Sequence, residues 1–150
     1  YSKQIEDVFE LQTDISKRIA DEVKAIIQPE EAGRIEKPPT ENLEAYDYYL
    51  QGKDLMFTEN DHKVLKGIAF FDKAIELDPE FALAYASASI SYFLIDMNQN
   101  EKKYLEATNS YADNALLYDP QLAQSLIAKA LYFLNTYQYD QSLSYLEKAL

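Results

Sequence analysis

Between residues 4 and 27 the apolar side chains Ile5, Val8, Phe9, Ile15, Ile19, Val23 and Ile26 recur at three- and four-residue steps. Gln12 interrupts the stripe once, and Lys17, Arg18, Asp21 and Glu22 fall off it. That period predicts an amphipathic helix over 1–27. The next stretch, QPEEAGRIEKPPT at 28–40, holds three of the five prolines and one of the three glycines, so it reads as a linker with Thr40 as a helix N-cap. From Glu41 the helical period returns in pairs, and predicts helices at about 41–57, 62–77, 81–97, 101–118, 121–136 and 139–150. So few glycines and prolines cannot supply the turns of an all-β fold. The expected class is all-α.

The pairs repeat. AFFDKAIELDP at 69–79 returns as SYADNALLYDP at 110–120, and a third version, SYLEKAL, begins at Ser144. Ala74 and Ala115 stand 41 residues apart, each five before a proline, and Ala149 follows Ala115 by 34. A helix hairpin repeated at such a period cannot bury its apolar face alone and stacks on the next. The units are 41–79, 81–120 and 121–150, the last cut short.

The residues at fixed places in these units resemble the tetratricopeptide family. In the first unit they are Tyr48, Gly52, Leu55, Gly67, Phe71, Ala74 and Pro79; in the second Tyr85, Ala88, Ser89, Tyr92, Ala112, Ala115 and Pro120. In the third, Leu126, Ala130, Phe133, Ser142, Leu146 and Ala149 follow the motif without insertion. The resemblance implies a helix-turn-helix solenoid of about three repeats, with Gly52, Ser89 and Ala130 small where the helices of a pair cross. Ala74, Ala115 and Ala149 would be small because the next repeat leans in. The sequence departs from the pattern by three extra residues between Gly52 and Gly67, within MFTENDHKVL, and seven between Ser89 and Thr108, around IDMNQNEKK. Ala112 stands where a large residue is usual, and Lys129 where an aliphatic one is.

The flank DVFELQTDISKRIADEV, the proline-rich joint and ENLEAYDYYLQGK resemble a junction found in a group of bacterial proteins. There a TolB-like α/β domain precedes a tetratricopeptide array, behind a cyclase or a winged-helix DNA-binding domain. On that likeness residues 1–27 are the last helix of a preceding domain; a generic capping helix is the alternative, and both predict the same element.

Charge narrows the partners. With 26 acidic against 14 basic residues the net charge is −12, and no basic stripe is available for phosphates, so neither nucleic acid nor an anionic membrane is an expected partner. No apolar run reaches the roughly 18 to 20 residues of a membrane span, and the expected location is cytoplasmic. The absence of cysteine excludes disulfides, thiolate catalysis and cysteine-based zinc sites. His62 lies in the polar run TENDHK and reads as a solvated turn. Asp96, Asn98 and Asn100 open like a calcium loop, but Glu101 replaces the needed glycine and Ala107 the closing glutamate. No catalytic, cofactor or metal site is expected, and the chain is not expected to be an enzyme.

The resemblance implies instead a concave face lined by the first helix of each pair. Its positions are Tyr46, Tyr49, Lys53 and Met56; Leu83, Ala86, Ile90 and Phe93; and Gln124, Ile127, Leu131 and Leu134. Such an apolar lining suits an amphipathic or apolar segment of a partner protein, or the chain's own N-terminal helix folded back on its joint. It lacks the basic set that holds a chaperone tail. The function expected is a non-catalytic protein–protein interaction scaffold, the tetratricopeptide segment of a larger bacterial regulator in signalling or transcription. The alternative is an intramolecular regulatory or spacer arm for an enzyme such as a nucleotide cyclase. The apolar Leu143, Leu146 and Leu150 at the C-terminal end predict that this chain dimerises there.

Overall fold

The computed structural model describes residues 38–150 and, before them, Leu11, Asp14, Ile15, Lys17, Arg18, Ile19, Asp21 and Glu22, all eight of them helical. The remainder of the helix expected over 1–27, and most of the joint at 28–40, lie outside the described residues. The chain divides into two compact units, residues 1–32 and 33–150.

Six helices make up the described part of the second unit: α1 (Leu43–Met56), α2 (Asp61–Leu77), α3 (Ala82–Asp96), α4 (Leu105–Tyr118), α5 (Ala123–Asn135) and α6 (Tyr139–Ala149). They pair as hairpins α1–α2, α3–α4 and α5–α6, and α2 packs on α3 as α4 packs on α5; α3 also meets α5 directly. This is an all-α helical repeat, without strands among the described residues.

Local chemistry sets the boundaries. Asn42, rather than Thr40, caps α1 by accepting the Ala45 N–H at 2.9 Å. Thr40 accepts the Asn42 N–H at 3.2 Å and donates to Asp78 Oδ2 at 2.6 Å, while Asn42 Nδ2 donates to the Leu77 carbonyl at 3.3 Å. The approach to α1 is thereby joined to the end of α2. Helices α2 and α4 both stop at Asp-Pro, because a residue before proline is pushed out of the helical region. Asp78 and Asp119 are extended there, at φ −136° and −148°. Each uses its Oδ1 to accept the N–H two residues on, from Glu80 and Gln121, at 3.1 Å.

The hairpins cross at equivalent places by different means. A Cβ on Gly52 would lie 2.7 Å from the Phe71 ring and 2.8 Å from the Gly67 carbonyl oxygen, so the first crossing tolerates no side chain. In the second, Ser89 Oγ donates to the Thr108 carbonyl at 2.6 Å; in the third, Ser142 Oγ donates to the Ala130 carbonyl at 2.8 Å. The donor thus sits on the first helix of one pair and the second helix of the next.

The turns differ as well. The sequence places the start of α4 near 101, yet it begins at Leu105, because the Asp96 carboxylate folds the extra residues into a turn. Its Oδ1 accepts the Lys103 N–H at 3.1 Å and its Oδ2 the Tyr104 N–H at 2.6 Å. Lys102 Nζ closes the other side on the carbonyls of Asp96 and Met97, at 2.8 and 3.2 Å. The α5–α6 turn passes through Tyr137 at φ 61°, a left-handed conformation that costs an L-residue roughly 1 kcal/mol.

Candidate interaction surface

Of the residues expected to line a concave face, Tyr49, Met56, Ala86, Ile90, Phe93, Ile127, Leu131 and Leu134 are buried. Tyr46, Lys53 and Leu83, together with Gln124, keep partial exposure. The reason is the surroundings of α3, which packs against α1, α2, α4 and α5. Eleven of its fifteen residues are buried, and a helix that is apolar all round is core rather than surface. A charge placed at Ile90 or Phe93, both with no exposure, would disrupt the fold before it disrupted any partner. What remains accessible of that row is Tyr46, Lys53, Leu83 and Gln124.

The structure assembles a different set of side chains at the surface: each hairpin carries an aromatic seam between its two helices. In α1–α2 the rings of Tyr48 and Phe70 stack with centroids 6.3 Å apart, and in α5–α6 Phe133 and Tyr145 stack at 5.7 Å. In α3–α4 the seam is a row of five tyrosines. Tyr118 meets Tyr85 at 5.6 Å, Tyr85 meets Tyr111 at 6.3 Å, Tyr111 meets Tyr92 at 5.7 Å, and Tyr92 meets Tyr104 at 4.9 Å. The row follows from sequence spacing, since 85 and 92 on α3, and 104, 111 and 118 at α4, recur every seven residues and so share one helical face. None of the five is buried. The signal was present in the sequence, but a reading centred on the first helix of each pair passes over it.

Carboxylates border this row. Tyr111 Oη donates to Asp72 Oδ1 at 2.6 Å, from α4 across to α2. Burial pushes the Asp72 carboxyl above its usual range, the Tyr111 hydrogen bond counteracts part of that, and the nearby Glu76 adds to it. Tyr85 Oη donates to the Pro79 carbonyl at 3.0 Å, and its phenol is pushed up by burial and then by Tyr118 and Asp78. Tyr92 is raised for similar reasons, burial first and then the charge of Asp72.

The remaining polar features are structural. Lys129 Nζ bonds Asn109 Oδ1 and Asp113 Oδ1, both at 2.6 Å, and ties α5 to α4. His62 is exposed in the first turn of α2. A depression of about 750 Å³ beside the α3–α4 turn is lined by Asp61, Leu65, Ile95, Asp96 and Tyr104 among others. Both oxygens of Asp96 are already committed to backbone N–H groups. Among the described residues no group of three or more histidine or carboxylate side chains is arranged to hold a metal ion, and no helix is long and apolar enough to cross a membrane.

No protein-family model matches the chain, and no solved structure matches it. A curated protein of Rhizobium meliloti (strain 1021), described as "Putative adenylate cyclase 3", is 25% identical over 99 residues, which are 66% of this chain. The chain spans only 17% of the length of that relative.

Proposed function

We propose that residues 38–150 form a tetratricopeptide-type segment of a larger bacterial regulatory protein, and that its work is non-catalytic: holding another protein. The observation that carries this reading is the stack of three hairpins. Their equivalent crossings and aromatic seams recur in all three, and the Asp-Pro exit in the first two, so the molecule builds repeated surface rather than one enclosed site. Its accessible aromatic rows are surface of the kind enriched in protein interfaces. A second reading has its own support. The likeness to a protein named as an adenylate cyclase favours an arm that regulates or spaces an enzyme within one polypeptide.

The test is to immobilise the chain, expose it to a bacterial extract, purify each captured protein and titrate it by calorimetry. Saturable one-to-one binding with a Kd of about 10 μM or tighter is the expected result. Failure of every captured protein to bind again when pure overturns the interaction reading. A captured protein that is a cyclase domain, and whose rate changes on binding, selects the second reading.

A further inference from the structure

Beyond their length, the three aromatic seams differ in where a cation covers them. Lys73 Nζ lies over Tyr48 and Phe70, at 5.4 and 5.9 Å from the ring centroids. Lys129 Nζ lies 5.4 Å over Phe133, and Lys148 Nζ 5.0 Å over Tyr145. Each outer hairpin therefore covers its own seam with an ammonium, an attraction between cation and ring face.

The middle hairpin has lost both lysine positions. Lys73 and Lys148 each stand six residues after the crossing residue of the second helix, Gly67 or Ser142. Six residues after Thr108 comes Asn114, whose amide donates to the Ser110 carbonyl at 3.0 Å. Lys129 stands one residue before Ala130, and one residue before Ser89 is the buried Ala88. Among the described residues no ammonium lies over Tyr85, Tyr92, Tyr111 or Tyr118; Lys103 reaches Tyr104, at 5.4 Å.

The acid has been kept where the cation was lost. Asp113, which binds Lys129, stands five residues after its crossing residue; the equivalent of Asp113 in the first hairpin is Asp72. Asp72 receives the Tyr111 hydroxyl and has no basic partner among the described residues. The longest seam thus combines partly exposed phenol rings with an uncompensated carboxylate, and its one ammonium among the described residues, Lys103, lies over the end ring Tyr104.

We propose that the α3–α4 seam binds an arginine side chain of a partner protein, its guanidinium stacked on one ring of the Tyr85–Tyr111–Tyr92 row and one N–H directed to Asp72. A planar guanidinium stacks on a ring and hydrogen-bonds a carboxylate in its own plane, which an ammonium cannot do. The net charge of −12 steers such a partner inward. This names the partner chemistry of the interaction reading above and rests on it.

The test measures fluorescence anisotropy of a labelled alternating arginine–glycine octapeptide against the whole chain, with the citrulline octapeptide as its uncharged counterpart. The arginine peptide is expected to bind at least about tenfold more tightly. Asn114→Lys, which supplies the ammonium found in the outer hairpins, is expected to weaken it about tenfold while the helical melt is kept. Gln141→Lys adds the same charge at an exposed position of α6 and is expected to change it less than about twofold. Asp72→Asn gives a second weakening variant. Absence of arginine-peptide binding, equal binding of the citrulline peptide, equal effects of Asn114→Lys and Gln141→Lys, or no effect of Asn114→Lys and Asp72→Asn would each overturn the proposal. A purified partner that binds wild type and Asn114→Lys equally leaves the interaction reading standing and removes this seam from it.

Discussion

In the α1–α2 hairpin the helices cross where neither carries a side chain, and the turn between them is short; in α3–α4 they cross over a serine hydroxyl, and the turn is long. The first arrangement closes by absence, since the space at Gly52 is filled by the Phe71 ring and the Gly67 carbonyl. The second closes by a bond, Ser89 to Thr108, and needs the buried Asp96 to organise its turn. The comparison teaches that the close approach of two helices is what the repeat preserves. The residue that permits it is free to change between a missing side chain and a short donor that satisfies a carbonyl on the facing helix.

The broadest way to stress both hairpins is alkali. Burial holds the Tyr49 phenol of α1 up to about 12, and burial together with the Asp72 hydrogen bond and charge raises Tyr111 of α4 further. Phenols of the unfolded chain ionise near 10. The stability these groups contribute is therefore fully present below about pH 10 and lost as pH rises through their folded values. Melting followed by circular dichroism should be flat from about neutral pH to about pH 10 and fall steeply beyond. Tyr49→Phe and Tyr111→Phe should each remove part of that fall, and the larger change marks the phenol whose ionisation costs the fold more.

Substitutions then separate the two crossings. Gly52→Ala is expected to cost about 3 kcal/mol, because the added methyl meets ring and backbone that must both shift. Asp96→Ala is expected to cost about 2 kcal/mol, since two N–H groups at the start of α4 lose their acceptor. Ser89→Ala should cost about 1 kcal/mol, as it removes one hydrogen bond and leaves the Cβ in place. Chemical denaturation measures all three. A Ser89→Ala loss equal to that of Gly52→Ala would mean that the hydroxyl matters as much at the second crossing as the space does at the first.

Much of this architecture is legible in the amino-acid pattern. The six helices of 41–150 are found within a few residues of their expected ends, because apolar residues recur at helical spacing and α2 and α4 stop at Asp-Pro. The misses have local causes. Thr40 and Asn42 are both good caps by type, and only the partner at Asp78 distinguishes them. The start of α4 moved because Asp96, seven and eight residues earlier, takes up the N–H groups of Lys103 and Tyr104. The apolar row from Ile90 to Leu131 was legible as apolar but not as covered, since burial depends on how many helices surround α3. The tyrosine row and its missing lysine emerge only when the three hairpins are compared position by position.

The joining of residues 40–42 to residues 77–78 also determines how the second unit bears mechanical load. Thr40 to Asp78 and Asn42 to Leu77 place the first and last residues of the α1–α2 hairpin side by side. A pull on the chain ahead of Pro38 therefore has to break these two hydrogen bonds to the end of α2 before it can peel α1 away.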